Sequence, residues 1–282
     1  MTISDISLTS GMRSNLLALQ GTASALAQTQ NRLSSGMKVN SALDNPTNYF
    51  SAQNHLQRAS DLSDRKDGMS EGIQTVKAAD AGIKAITSLI QAAKGLVSSA
   101  LGTTDIDTRK DYSDQFDALL TQINTLAADS GYKGTNLLKG DDLTVQFAQT
   151  TAASPLTIEG FDATTTGALA VKDSLTALKK WDALLAEDGT EAINTSGTEL
   201  DAALTELRSQ SSALASSMSV ITTRQDFTNA MISTLQTGAD NLTLADMNQE
   251  GANMLMLQTR QSLSTTALSL SSQAAQSILK LF

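Results

Sequence analysis

A repeating pattern of apolar residues in the last third of the chain constrains its fold more than any other feature. The spacing between these residues alternates between four and three over about six heptads, and polar side chains occupy only a few positions. Such a repeat keeps one side of a helix apolar, which is typical of a coiled coil. The members of the repeat are Leu200, Leu204, Leu207, Ser211, Leu214, Met218, Ile221, Gln225, Thr228, Ile232, Leu235, Ala239 and Leu242.

The same spacing occurs near both ends of the chain. In the N-terminal run only Gln30 is polar, and in the C-terminal run the repeat resumes after three polar positions. We therefore predict two terminal helices of about 30 residues, each roughly 45 Å long, that pair with each other. The predicted packing residues of this inner pair are Met12, Leu16, Leu19, Leu26, Leu33, Met256, Leu263, Leu270, Ile278 and Leu281.

Two segments that disfavour helix separate these terminal helices from the rest of the chain. Residues 33–50, LSSGMKVNSALDNPTNYF, contain Ser-Ser-Gly and then Asp-Asn-Pro. Gly36 gives the backbone freedom to leave the helix, Asp44 is placed to cap the helix that follows, and Pro46 suits the first turn of that helix. A polar stretch at residues 243–253 is the predicted counterpart near the other end.

Helical and β-prone segments alternate between these two breaks. The predicted elements are a long helix around residues 62–97, a helix at about 107–128, a hairpin formed by LTVQF (143–147) and LTIEG (156–160), a short helix at 168–187 around Trp181, and a loop at 189–197.

Charge is scarce at the two ends of the chain. Residues 1–43 and residues 243–282 carry four charged side chains each, whereas the whole chain of 282 residues is acidic, with a net charge of -9. The ends are polar through Ser, Thr, Gln and Asn, and they have too little apolar surface to fold alone. We therefore expect the terminal helices to be buried against other copies of the chain. The negative charge argues against nucleic acid or an anionic membrane as the main partner.

The sequence offers no group of residues suited to catalysis or metal binding. Cysteine is absent, which excludes disulfides, thiolate metal sites and cysteine nucleophiles. The only histidine, His55, has no second histidine or cysteine to act with and is interpreted as a surface residue. No nucleophile elbow and no glycine-rich phosphate loop occur. We expect no enzymatic activity and no cofactor. We also expect no membrane insertion, because no apolar run approaches the roughly 18 residues of a span. We expect no cleaved secretory signal, because the N-terminus has no basic region and no continuous apolar run after it.

Three stretches of the chain together resemble bacterial flagellin. Residues 33–44, LSSGMKVNSALD, are similar to the N-terminal signature of that family. Residues 131–138, GYKGTNLL, resemble the turn that precedes its β-hairpin, and residues 252–282 resemble its carboxyl end. The three stretches occur in the family's order, and the resemblance covers nearly the whole chain.

The resemblance implies a short flagellin without large outer domains. The expected fold is mainly α, with long coiled-coil helices from both chain ends and a helical outer domain that carries one β-hairpin. The expected parts are residues 1–43 as the N-terminal arm of the inner core, 44–167 as the first part of the helical domain, 168–197 as a short central insert, 198–242 as the C-terminal helix of the helical domain, and 243–282 as the C-terminal arm.

The interruption after Leu33 is, by the same resemblance, a spoke that connects the inner helical pair to the outer helical domain. Many flagellins continue the signature with a second Asp and small residues, whereas this chain has Asn45 and Pro46. The break is expected to survive this departure, because Pro46 keeps Asn45 out of helical geometry. The predicted spoke residues are Ser35, Gly36, Asn40, Asp44 and Pro46.

The function that the resemblance implies is that of a structural subunit, which polymerises into the extracellular flagellar filament and serves swimming motility. The implied partners are many copies of the same chain, a flagellin export chaperone, and the hook-associated and filament cap proteins. The implied export route is the flagellar type III pathway, without signal cleavage.

Two other classes of protein are alternatives. A hook–filament junction protein resembles flagellin at both ends, and abundance in sheared filaments would separate the two. A signalling coiled coil, such as the cytoplasmic hairpin of a chemotaxis receptor, would need a symmetrical hairpin tip and methylation pairs. The β-prone segment at residues 143–160 does not fit that class.

One stretch departs from the family in a way that bears on host recognition. Many flagellins are read by an innate immune receptor through the pattern Leu-Gln-Arg, two residues, then Glu. In this chain Ile90, Gln91 and Lys94 stand at the Gln, Arg and Glu positions. The resemblance therefore implies weak or absent receptor activation, because a guanidinium is lost and a charge is reversed.

Overall fold

The computed structural model describes residues 10–147, 155–174, 181 and 186–279. These residues form long helices and one two-stranded antiparallel sheet, so the predicted mainly α fold with one β-hairpin is confirmed. The elements in chain order are α1 (Ser10–Ser35), α2 (Pro46–Leu101), α3 (Ile106–Asp129), β1 (Leu143–Val145), β2 (Leu156–Ile158), α4 (Ala186–Thr243) and α5 (Met247–Leu279).

The chain divides into two compact units. Unit 1 comprises Met1–Arg58 and Thr234–Phe282, and unit 2 comprises Ala59–Ser233. Both predicted breaks, at residues 34–46 and 243–253, lie within unit 1. The expected division into arms, helical domain and insert stays a prediction.

The apolar repeat of α4 is buried as the sequence predicts. Leu200, Leu207 and Ile221 are almost fully buried, and Leu204 and Leu214 are buried with them. In unit 2 these side chains join one hydrophobic core with residues from α2, α3 and the hairpin. A polar position of the repeat also contributes to the packing, because the Ser211 hydroxyl donates a hydrogen bond to Asp80 at 3.2 Å. The apolar repeat with a period of 3.5 residues therefore correctly predicts which side of α4 is buried.

The hairpin packs its inward side chains into the same core. Leu143 pairs with Ile158 and Val145 with Leu156, and Val145 and Ile158 are buried. A β-carbon added at Gly72 would lie 2.9 Å from a methyl group of Val145. Gly72 is therefore required where α2 passes the hairpin, because any side chain there would push the strand away.

The turn before the hairpin is held by a buried amide. The backbone N–H of Thr135 donates to the Tyr132 carbonyl at 3.0 Å, which closes the turn. The Asn136 side chain donates to the carbonyls of Ala127 and Ala128, each at 2.9 Å. Asn136 thus satisfies the last carbonyls of α3, which would otherwise lack partners.

The predicted loop at residues 189–197 is wrong, because this segment is the first part of α4. Gly189 and Gly197 suggest a break, but Ile193 and Ser196 are fully buried. The Trp181 indole donates to the Ser196 hydroxyl at 3.3 Å. Tertiary packing overrides weak local helix propensity here. Residues 168–174 of the predicted short helix are turn and irregular backbone, and the rest of it lies mostly outside the described residues.

Candidate functional site

The two connections in unit 1 are joined by backbone hydrogen bonds. Residues 36–45 link α1 to α2, and residues 244–246 link α4 to α5. The N–H of Lys38 donates to the Thr243 carbonyl at 2.7 Å, and the N–H of Ala245 donates to the Gly36 carbonyl at 2.9 Å. The two segments therefore form one antiparallel bridge rather than two separate loops.

Gly36 ends α1 in the way the sequence predicts. Its φ of 71° lies in the left-handed region, where a side chain is strained. Its N–H donates to the Arg32 carbonyl at 2.8 Å, which completes the last turn of the helix. The Ser35 hydroxyl accepts from the Asn40 side chain at 2.9 Å and so braces the connection from the other side.

Asp44 organises the connection, but it does not cap α2 as predicted. Its Oδ2 accepts the N–H groups of Asn40 and Ser41, both at 3.0 Å. The cap of α2 is Asn45, whose Oδ1 accepts the N–H of Asn48 at 3.0 Å. The cap lies one residue later because Pro46 occupies the first helical position, so the residue before it takes the cap.

The backbone donors of Asn40 and Ser41 hold the pKa of the Asp44 carboxyl below its ordinary value of 3.8, with a smaller contribution from the Arg32 guanidinium. A lowered pKa in the folded chain means that the ionised carboxyl stabilises the connection above that ordinary value. This stabilisation is lost as the pH falls through the folded pKa.

We expect the amide resonances of Asn40 and Ser41 to shift together on acidification, with a midpoint below 3.8. An NMR titration measures this midpoint, and Asp44→Asn should remove the common transition. A midpoint at or above 3.8 would contradict the role of Asp44 in the connection.

The break before α5 is shorter than predicted. Only residues 244–246 are non-helical, whereas the sequence predicts a polar break through residue 253. Asp246 caps α5, because its Oδ1 accepts the N–H of Asn248 at 2.9 Å and that of Gln249 at 3.2 Å. A strong cap starts the helix early. Asn248 and Gln249 are exposed and Asn253 is half-buried on its surface, whereas Glu250 is buried.

An ion pair fixes the end of α1 against the start of α5. Arg32 donates to Glu250 at 3.1 Å, and the Glu250 side chain is about nine-tenths buried. Since residue 32 is near the end of α1 and residue 250 near the start of α5, the two helices run antiparallel. Their packing against each other confirms that the chain ends pair.

The side of α1 that is turned inward includes four of the five predicted packing residues of this helix. Met12, Leu19, Leu26 and Leu33 are half-buried in the single chain, whereas Leu16 is exposed. Two threonines take the alternate heptad positions instead, and these are the most buried side chains of the helix, Thr22 and Thr29. The two threonines are seven residues apart, as heptad positions require. A search for apolar residues alone does not find them, because threonine is polar.

The C-terminal seam does not face α1 in the single chain. Leu257 is buried, and Met254 and Leu268 are half-buried on the same side of α5 as Glu250. The predicted residues Met256, Leu263 and Leu270 lie on a different side of α5 and are exposed by 54%, 66% and 61%. Ile278 lies in α5, and Leu281 lies outside the described residues.

The helix α5 therefore has two apolar sides, and one of them is uncovered. We call Met256, Leu263 and Leu270 the outer stripe. Three large apolar side chains at intervals of seven on one exposed helix side are typical of an interaction surface. This is the strongest candidate for a functional site within the described part of the chain.

The stretch predicted to correspond to the receptor-binding surface is divided between core and surface. Ile90 is completely buried in the core of unit 2, so it cannot belong to an exposed face. Gln91 is exposed. The Lys94 ammonium, which is partly exposed, forms an ion pair with the carboxylate of Asp201 on α4. Of the three positions that correspond to the receptor pattern, Gln91 and Lys94 therefore lie at the surface, and Ile90 belongs to the core.

No group of three or more side chains in residues 10–147, 155–174, 181 and 186–279 is arranged to hold a metal ion. Among the helices described, none is both long and apolar enough to cross a membrane.

Comparison with known proteins gives matches at both ends of the chain. Residues 3–143 match the bacterial flagellin N-terminal helical region, and residues 198–282 match the bacterial flagellin C-terminal helical region. Flagellin FljM of Caulobacter vibrioides is 30% identical over 286 residues, which cover 100% of both chains. A flagellin of Brucella melitensis is 30% identical over 279 residues, covering 95% of this chain and 96% of the relative.

The matches include the bridge between the two connections, the ion pair of α1 with α5 and the outer stripe, so these features lie in the regions that the family shares. Flagellins are structural subunits that polymerise into the flagellar filament. With both family regions present and full-length relatives at 30% identity, the chain belongs to the bacterial flagellin family.

Proposed function

We propose that this chain polymerises into the flagellar filament through its terminal helices. The observation that carries the proposal is the outer stripe, three exposed apolar side chains on a helix that already pairs with the other chain end. An isolated chain gains nothing from this arrangement, because exposed leucines favour aggregation. A polymer buries the stripe against other copies, and each buried leucine then contributes about 1.5–3 kcal/mol.

The proposal extends to partners and location. Export through the flagellar type III route would require a chaperone that covers the apolar side of α5 until assembly. At the cell surface, hook-associated and cap proteins would hold the first and last copies of the polymer. The outer stripe supports the need for such a cover, because it is exposed in the single chain.

The test is to shear filaments from the cell surface and identify their main protein by mass spectrometry. We expect this chain to be the main component, and we expect its deletion to abolish or strongly reduce swimming in soft agar. A few copies per filament would instead indicate a hook–filament junction protein, and its absence from the sheared fraction would contradict the proposal.

A second prediction concerns the innate immune receptor. We expect purified monomer to activate reporter cells weakly, because Gln91 cannot replace a multi-donor guanidinium and Lys94 reverses a charge. The gain-of-function variant is Gln91→Arg with Lys94→Glu and Asp201→Lys, in which the charge exchange keeps the ion pair between α2 and α4.

The matched control is Lys94→Glu with Asp201→Lys alone, which tests the exchange without the new guanidinium. Ile90 is left unchanged in both variants, because a polar side chain at this buried position would destabilise unit 2. Strong activation by the unmodified monomer would contradict the assignment of this surface.

A further inference from the structure

Leu43 is the most exposed large apolar side chain described, at 96%. It lies in the connection between α1 and α2, immediately before Asp44. The N–H of Leu43 donates to the Ser41 hydroxyl at 3.3 Å, and the N–H of Asp44 donates to the Ser41 carbonyl at 3.2 Å. The leucine is thus presented on a hydrogen-bonded turn, which favours a docking role over a flexible tip.

An apolar hollow on α5 includes two residues of the outer stripe, Met256 and Leu263. It has a volume of about 410 Å³ and is lined by Leu255, Met256, Thr259, Arg260 and Leu263. The hollow is open to solvent along one side of α5, and most of its wall is hydrocarbon. An apolar side chain of another molecule can therefore reach it without any rearrangement of the helix.

The residue that follows Leu43 and one residue that lines the hollow carry opposite charges. Asp44 follows the exposed leucine, and the three hydrogen bonds described for its carboxylate are all accepted by Oδ2. Arg260 forms part of the hollow and takes part in none of the ion pairs found within the described residues. A leucine next to an acid thus matches an apolar hollow next to a base.

We propose that Leu43 of one copy inserts into the hollow on α5 of a second copy, with Asp44 facing Arg260. The contact forms between copies, because Leu43 is almost fully exposed in its own chain. This inference rests on the proposed function and specifies one contact of the polymer.

The contact joins two different surfaces of the same chain. Such a heterologous contact leaves a free leucine on one copy and a free hollow on the other, so it repeats into an open polymer rather than closing as a dimer. Replacing Leu43 by serine should therefore raise the critical concentration for polymerisation roughly ten- to hundredfold, the equivalent of one buried leucine.

Disulfide cross-linking tests the contact directly, because the chain has no cysteine of its own. Two single variants, Leu43→Cys and Thr259→Cys, are mixed, polymerised together with unmodified protein, and oxidised. We expect disulfide-linked dimers in the filament fraction and none in the monomer fraction. The matched control replaces Thr259→Cys by Ser269→Cys, an exposed position of α5 that does not line the hollow, and it should give no dimer.

The outcomes separate this inference from the proposed function. Filaments that incorporate both variants but yield no dimer overturn the Leu43 contact and leave the proposed function standing. Failure of the unmodified chain to form filaments overturns the proposed function, and the contact with it. Equal dimer yield from the control pair would also overturn the contact, because it would show cross-linking without the hollow.

Discussion

Leu263→Asp and Leu270→Asp should each give a folded, soluble chain that does not polymerise. Both side chains are exposed in the single chain, so an aspartate there leaves the fold of the monomer intact. In the polymer the same aspartate would be buried in a mainly apolar contact, which is strongly unfavourable. The expected loss is therefore specific to assembly.

Sedimentation after seeding measures polymerisation, and circular dichroism of the monomer measures whether the chain is folded. The matched control is Ser269→Asp, which adds the same charge next to Leu270 on a different side of α5 and should retain most of the polymerisation. Normal-length filaments from Leu263→Asp or Leu270→Asp would refute the assignment of the outer stripe as an assembly surface.

The second large effect is expected within unit 2, where Ile90→Ala should lower the free energy of unfolding by about 2–5 kcal/mol. Ile90 is completely buried in the core, so its truncation leaves a cavity that the surrounding side chains cannot fill. The neighbouring change Gln91→Ala removes an exposed side chain of the same helix and should stay within about 0.5 kcal/mol.

Denaturant unfolding monitored by tryptophan fluorescence gives the free energy of unfolding of both variants. Trp181 is the only tryptophan of the chain and is buried, with its ring 4.9 Å from that of Phe116. Its emission therefore reports on unit 2. Similar midpoints for Ile90→Ala and Gln91→Ala would show that Ile90 is not part of the core.

The features that the sequence predicted best are those with a long regular period. In α4 the repeat extends over many turns, so a few polar positions do not obscure which side is buried. The hairpin was also predictable, because Val145 and Ile158 lie in short β-prone runs separated by a turn-forming segment.

The errors arise where a single residue or a tertiary contact decides the outcome. Asp44 and Asn45 are both good capping residues, and only the bonds of the connection decide that Asn45 caps α2. The start of α4 is not predicted because its helical form depends on a tertiary contact, the hydrogen bond of Trp181 with Ser196, and not on local helix propensity. Neither the cap of α2 nor the start of α4 can be recognised from a local sequence pattern.

The sequence predicts which residues of α5 take part in packing, but it does not predict which surface each of them faces. The sequence identified Leu263 and Leu270 as packing residues, yet it assigned them to the pairing of the two terminal helices. The structure shows that Leu257 takes part in that pairing, while the outer stripe stays exposed. A helix with apolar residues on two sides gives a weak periodic signal, so the sequence alone could not separate the two surfaces.

Hydrogen exchange of α1 and α5, compared between monomer and filament, tests the central claim that the terminal helices are completed by other copies of the chain. The pairing of α1 with α5 buries few large apolar side chains, so these helices should exchange quickly in the monomer, while unit 2 stays protected. We expect strong protection of both helices in the filament, greatest around the outer stripe. Equal protection of α1 and α5 in the monomer and the filament would contradict the claim.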